Sequence, residues 1–183
     1  REAGGCARGL RNAVLMTLHA VAGAVWVTEM GADGLGDDLP LDEINIITRG
    51  AWYGWPWFYG KNIEDPELRE RRNWDGSVTH VDPLFAQEPI PSHIDIPAQS
   101  APLGLAFIPE EGWPEEDWYN LLVAYHGSWN RSVPTGYKIV KMRLDAEGNY
   151  AGTEDFITGF LAADGRRTGR TADIKALPGG TGT

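Results

Sequence analysis

The sequence has 183 residues, enough for one domain, and 42% of them are hydrophobic, enough for a packed core. Its formal net charge of −10 argues against a nucleic-acid surface, which needs clustered Lys and Arg. A lone cysteine, Cys6, excludes an internal disulfide, and no apolar run reaches the roughly 18 residues of a membrane helix.

In chain order, short apolar runs bounded by turn residues predict strands at 14–18, 25–29, 44–48, 104–108, 121–125, 137–144 and 173–177. Short helices are expected at 65–72 and 114–120. The basic residues Arg69, Arg71 and Arg72 alternate with acids and read as a solvated helical face. Long amphipathic helical patterns are nearly absent, so the fold class is all-β. The strands group into similar units: 14–18, 25–29 and 44–48, then 103–107, 121–125 and 137–144, then a third unit beginning at 172. Units of this size, each a small meander, suggest propeller blades; a β-sandwich with long loops is the alternative. Residues 53–100 carry little strand signal, and a loop that long in a compact domain is usually functional.

Five segments carry candidate chemistry. Residues 28–45 follow a strand and hold six carboxylates, Glu29, Asp33, Asp37, Asp38, Asp42 and Glu43, among turn-forming glycines. Hard cations such as calcium take carboxylate and carbonyl oxygens on a bending loop, although EF-hand spacing is missing and a solvated acidic loop is the alternative. Residues 52–59 hold six aromatics in eight positions, either a stacking surface or the core of a loop. His126-Gly127-Ser128-Trp129-Asn130-Arg131 follows a predicted strand end, where Arg131 could pair with a carboxylate through its planar fork. Gly9-Leu10-Arg11-Asn12 and the segment from Arg166 to Asp173 each put arginine at a strand entrance. In a propeller such arginines would converge on the channel as an anion site.

These segments, in this order, resemble the PQQ-dependent glucose/sorbosone dehydrogenase family. The matching stretches are residues 9–12, 26–45, 50–56, 101–107, 126–138 and 169–173, covering nearly the whole chain, with Ala13 and Thr171 where the family has proline. The resemblance implies a six-bladed β-propeller, of which residues 1–183 would be part of a single domain, truncated at both ends, with roughly the last two to three blades. It implies PQQ over the channel mouth, bridged to the protein by calcium on the carbonyls of Gly31 and Ala32. Arg11 would be the catalytic group facing the quinone, with Asn12, Arg131 and Arg170 as further cofactor contacts. Glu43 and the Tyr53 carbonyl match ligands of a second calcium. The implied reaction is hydride transfer from a sugar hydroxyl carbon to PQQ, with electrons passed to a soluble acceptor, in the periplasm or outside the cell. The family's general-base histidine precedes the Arg-Asn pair, so none of His19, His80, His93 and His126 fills that role. The chain alone is therefore expected to be inactive, and its open strand edges prone to aggregation. Two other readings are a non-catalytic propeller binding carbohydrate or protein, and a calcium-dependent lactonase-like hydrolase. The paired arginine sites favour the dehydrogenase, because a hydrolase has no polyanionic cofactor to hold.

Overall fold

The computed structural model describes residues 5–65, 87–177 and 179. Its strands are β1 (Ala13–Leu18), β2 (Val25–Glu29), β3 (Asp42–Ile47), β4 (Phe58–Tyr59), β5 (Ile63–Glu64), β6 (Ile94–Ile96), β7 (Pro102–Phe107), β8 (Leu121–Tyr125), β9 (Lys138–Leu144) and β10 (Tyr150–Ile157). A single 3-10 turn, Glu115–Asp117, is the only helical element among the described residues. No helix of the described chain is long and apolar enough to cross a membrane.

Two four-stranded antiparallel meanders, β1-β2-β3-β6 and β7-β8-β9-β10, make up the body, with β4-β5 as a small hairpin. Two of the connections, β1–β2 and β9–β10, are tight turns, and longer loops join the other paired strands. The β1–β2 turn closes with the His19 carbonyl accepting from Gly23 N at 2.8 Å, and Gly23 takes φ +65, which costs glycine no Cβ clash. The Asp145 side chain closes the β9–β10 turn by accepting from the backbone N–H groups of Glu147 and Asn149 at 3.0 and 2.8 Å.

The meanders pack face to face. Trp26 and Ile44 from one sheet, and Leu105, Leu121, Val123, Val140 and Met142 from the other, form the shared core with Ile94, Ile96 and Tyr125. The Thr28 hydroxyl donates to the Leu103 carbonyl at 2.7 Å and ties the two sheets at one end. Leu121 is 0% exposed, so Leu121→Ala should cost about 2–5 kcal/mol. Urea unfolding of the complete protein checks this; an unchanged midpoint would mean that the sheets do not pack as described.

Several expectations change. Residues 173–177 form no strand. They run beside β7, where Gly104 N donates to the Ala172 carbonyl at 2.8 Å, but no ladder continues from that bond. Residues 53–100 do contain strands: β4, β5 and β6. β6 escapes notice because it is three residues long with a central Asp, and it is held by pairing with β3. β10 escapes because its composition is that of a solvated outer edge, Thr153-Glu154-Asp155 included. The helix expected at 114–120 shrinks to the 3-10 turn. That expected at 65–72, with Arg69, Arg71 and Arg72, and also His80, lies outside the described residues apart from Asp65.

Candidate functional site

The site lies where β1 begins, β2 ends and β8 ends. Arg11 and Asn12 lead into β1, Met30 and Gly31 leave β2, and His126 to Trp129 leave β8. Together with Arg170 they line one cleft of about 410 Å³. The two arginine segments, far apart in sequence, thus meet.

Arg11 is held from behind and left partly open to the cleft. Its Nη1 donates to the carbonyls of Met30 at 3.2 Å and Gly31 at 2.9 Å, and its guanidinium lies 5.5 Å from the Trp55 ring centre. Its backbone N–H donates to the Glu29 carboxylate. Arg170 donates from Nη1 to the Gly127 carbonyl at 2.8 Å and sits 4.9 Å over the Tyr137 ring. Arg131, in contrast, does not line the cleft: it donates to the Ala98 carbonyl at 3.1 Å and pairs with Asp38 at 3.2 Å.

Behind Arg11 lies a buried acid pair. Glu29 and Glu43 face each other across β2 and β3, each 6% exposed. Asn45, two residues along the same face, donates to both carboxylates at 3.1 and 2.9 Å, while its own Oδ1 is buried without a partner. Burial first, then the Glu43 charge, pushes Glu29 up to about 8. Burial likewise raises Glu43, and raises Asp42 to about 6 despite hydrogen bonds from the N–H groups of Gly31 and Ala101 at 2.8 and 2.9 Å.

Gly31, Ala32, Glu43 and Tyr53, expected to serve two calcium ions, all line one cavity of about 20 Å³, room for a single water-sized body. The buried carboxylates of Glu29 and Glu43 also line it, and oxygens of this kind suit a hard cation, while Asn45 turns its amide nitrogen to both carboxylates. The Gly31 carbonyl already accepts from Arg11, and the Ala32 carbonyl accepts from Gln99 at 3.2 Å; each keeps a second lone pair. Among the described residues no group of three or more His, Cys, Asp or Glu side chains is arranged to hold a metal.

The aromatic segment is chiefly loop core: Trp52, Tyr53 and Tyr59 are buried, and Trp52 packs edge-on against Trp57 and Phe58. The acidic loop is docked yet solvated: Asp33, Asp37 and Asp38 hold Asn130, Ser132 and Arg131, while the Asp38 side chain stays 89% exposed. Residues to which sequence reasoning gave no role are Glu29 as partner of Glu43, Asn45 and Gln99, while Trp129 was named only as part of the segment from His126 to Arg131. The spacing of Glu43 and Asn45 puts them on one strand face, a legible signal. The pairing of Glu29 with Glu43 is set by register between strands and is not.

A family model described as TrAA12-like matches residues 2–158. An uncharacterized protein of Borreliella burgdorferi is 36% identical over 168 residues, 91% of this chain and 41% of that protein. The holo form of the pyranose dehydrogenase PQQ domain from Coprinopsis cinerea is 21% identical with a TM-score of 0.60, covering 92% of this chain and 49% of that one. The calcium structure of Trichoderma reesei Carbohydrate-Active Enzymes Family AA12 is 20% identical with a TM-score of 0.59, covering 84% and 44%. The two structural likenesses are likenesses of fold, and the chain spans less than half the length of each of the three proteins.

Proposed function

The chain belongs to the TrAA12-like family, and we propose that it forms part of a six-bladed propeller that oxidises an aldose-type sugar with PQQ and calcium. The observation that carries this reading is the convergence of Arg11, Asn12 and Arg170 on one cleft of about 410 Å³. Residues 1–183 belong to one domain in this reading, with the two meanders as blades and 172–177 entering a third. The proton-accepting histidine and the remaining blades come from elsewhere in the complete protein, which passes electrons to a soluble acceptor outside the cytoplasm.

PQQ, when bound, supplies a quinone that accepts hydride from the sugar carbinol. The residues of this chain position and charge the site. Arg170 would pair with a carboxylate of the cofactor, and Arg11 would face the quinone and stabilise negative charge that develops during reduction. Asn12 adds a neutral hydrogen bond. Asp42 accepts from Gly31 N–H and so fixes the Met30–Gly31 peptide plane at the start of this loop, and the carbonyls of Gly31 and Ala32 would hold the bridging calcium. Glu43 and the Tyr53 carbonyl would hold a second ion, with Glu29 beside them. Arg131, bound to Ala98 and Asp38, braces the loop and reaches the cofactor only if that loop rearranges.

Titrating PQQ into the complete protein, with and without calcium, followed by dye reduction with a panel of aldoses, tests the proposal. Saturable, calcium-dependent binding with sugar-dependent reduction is expected. Failure to bind PQQ would sink the enzyme reading and leave a binding propeller or a hydrolase.

A further inference from the structure

The loop from His126 to Tyr137 is clinched at its neck. Ser128 N donates to the Thr135 carbonyl at 2.9 Å, and Thr135 N donates back to the Ser128 hydroxyl at 3.0 Å. The Tyr137 hydroxyl donates to the Ser128 carbonyl. The glycines at the neck allow this closeness: a Cβ on Gly136 would stand 2.7 Å from the Gly127 Cα. Beyond the neck the loop is braced outward, Asn130 on Asp33 at 2.8 Å, Arg131 on Asp38 and Ala98, and Ser132 on Asp37.

On this fixed mount Trp129 is 71% exposed, whereas the preceding Ser128 is 2% exposed. The indole lines the cleft that holds Arg11, Asn12 and Arg170, so it stands at the cleft mouth. Single exposed apolar side chains are common on proteins, but most are free to move and face open solvent. Trp129 combines a held backbone, an uncovered ring and a position beside a polar cleft.

We propose that Trp129 is the stacking platform for the sugar ring, a binding subsite for a neutral pyranose at the cleft mouth. The chemistry favours this occupant. The arginines within the cleft suit the anionic groups of the cofactor, while an electron-rich indole face suits the polarised C–H bonds on one face of a neutral sugar. A mount that is already rigid adds little ordering cost when the ring is covered. The inference rests on the sugar-oxidising reading for its substrate class, and it assigns Trp129 a specificity role rather than a part in cofactor binding.

The test uses the complete protein as wild type, W129F and W129A, all expected to melt at the same temperature because the ring is exposed. With PQQ and calcium loaded, W129A should raise KM for the preferred aldose about tenfold or more and change kcat less than about threefold, with W129F between. PQQ affinity should stay within about twofold. Independently of turnover, titrating the aldose should change tryptophan fluorescence saturably in wild type, and that change should vanish in W129F. A fall in PQQ affinity with KM unchanged would overturn the proposal, because Trp129 would then pack on the cofactor. Equal KM values in all three proteins would overturn it too. If wild type binds no PQQ, the dehydrogenase reading fails, and the fluorescence titration alone decides the platform: a saturable signal confined to Trp129 sustains it and no signal ends it.

Discussion

Replacing Arg11 by alanine is expected to weaken PQQ binding by the complete protein about a hundredfold. Removing one member of a desolvated charge pair costs about 2–5 kcal/mol. Arg11 is held by two carbonyls and the Trp55 ring before any ligand arrives, so its fork is already aimed and its loss is not compensated by a neighbour. Arg11→Lys keeps the charge but loses the planar fork, so it should recover at most about a tenth of the lost affinity. Turnover at saturating PQQ should also fall, because Arg11 is the group proposed to stabilise developing negative charge. Fluorescence titration and steady-state dye reduction measure the two effects separately. Unchanged affinity in Arg11→Ala would remove this residue from the cofactor site.

The second large effect is structural. Gly127→Ala should destabilise the complete protein by about 2–5 kcal/mol, from backbone strain and overpacking together. Gly127 has φ +99, a region that side chains disfavour, and an added Cβ would lie 2.6 Å from the Tyr137 ring. The damage should reach the site, because the Gly127 carbonyl receives Arg170 and Tyr137 lies under that guanidinium. Denaturant unfolding gives the stability and PQQ titration the consequence. A Gly127→Ala protein as stable as wild type would show that the loop neck is open in solution.

Legibility followed how local the signal was. β2 and β8 stood out because Val25-Trp26-Val27 and Leu121-Leu122-Val123 are apolar runs between turn residues, and both are buried. β10 was hidden because an outer strand keeps polar side chains in water and shows no apolar alternation. Residues 173–177 read as a strand on composition, yet a strand exists only where a neighbour completes its ladder. The aromatic run at 52–59 could not be assigned in advance, because composition does not tell a stacking surface from a buried loop core.

The same division holds for the candidate site. Arg11, Asn12 and Arg170 stand in short contiguous motifs, and their expected cofactor roles come from the family resemblance that those motifs carry. That they share a cleft, that Arg131 turns away to Asp38, and that Glu29 meets Glu43 under one Asn45 amide nitrogen were not legible. Sequence by itself determined the all-β class, most inner strands and the chemical kind of each motif, because those depend on neighbouring residues and the period of a strand. Only the tertiary structure decided which motifs meet, which acids lose their water and which tryptophan keeps its own, because contact and burial depend on register between strands distant in the chain.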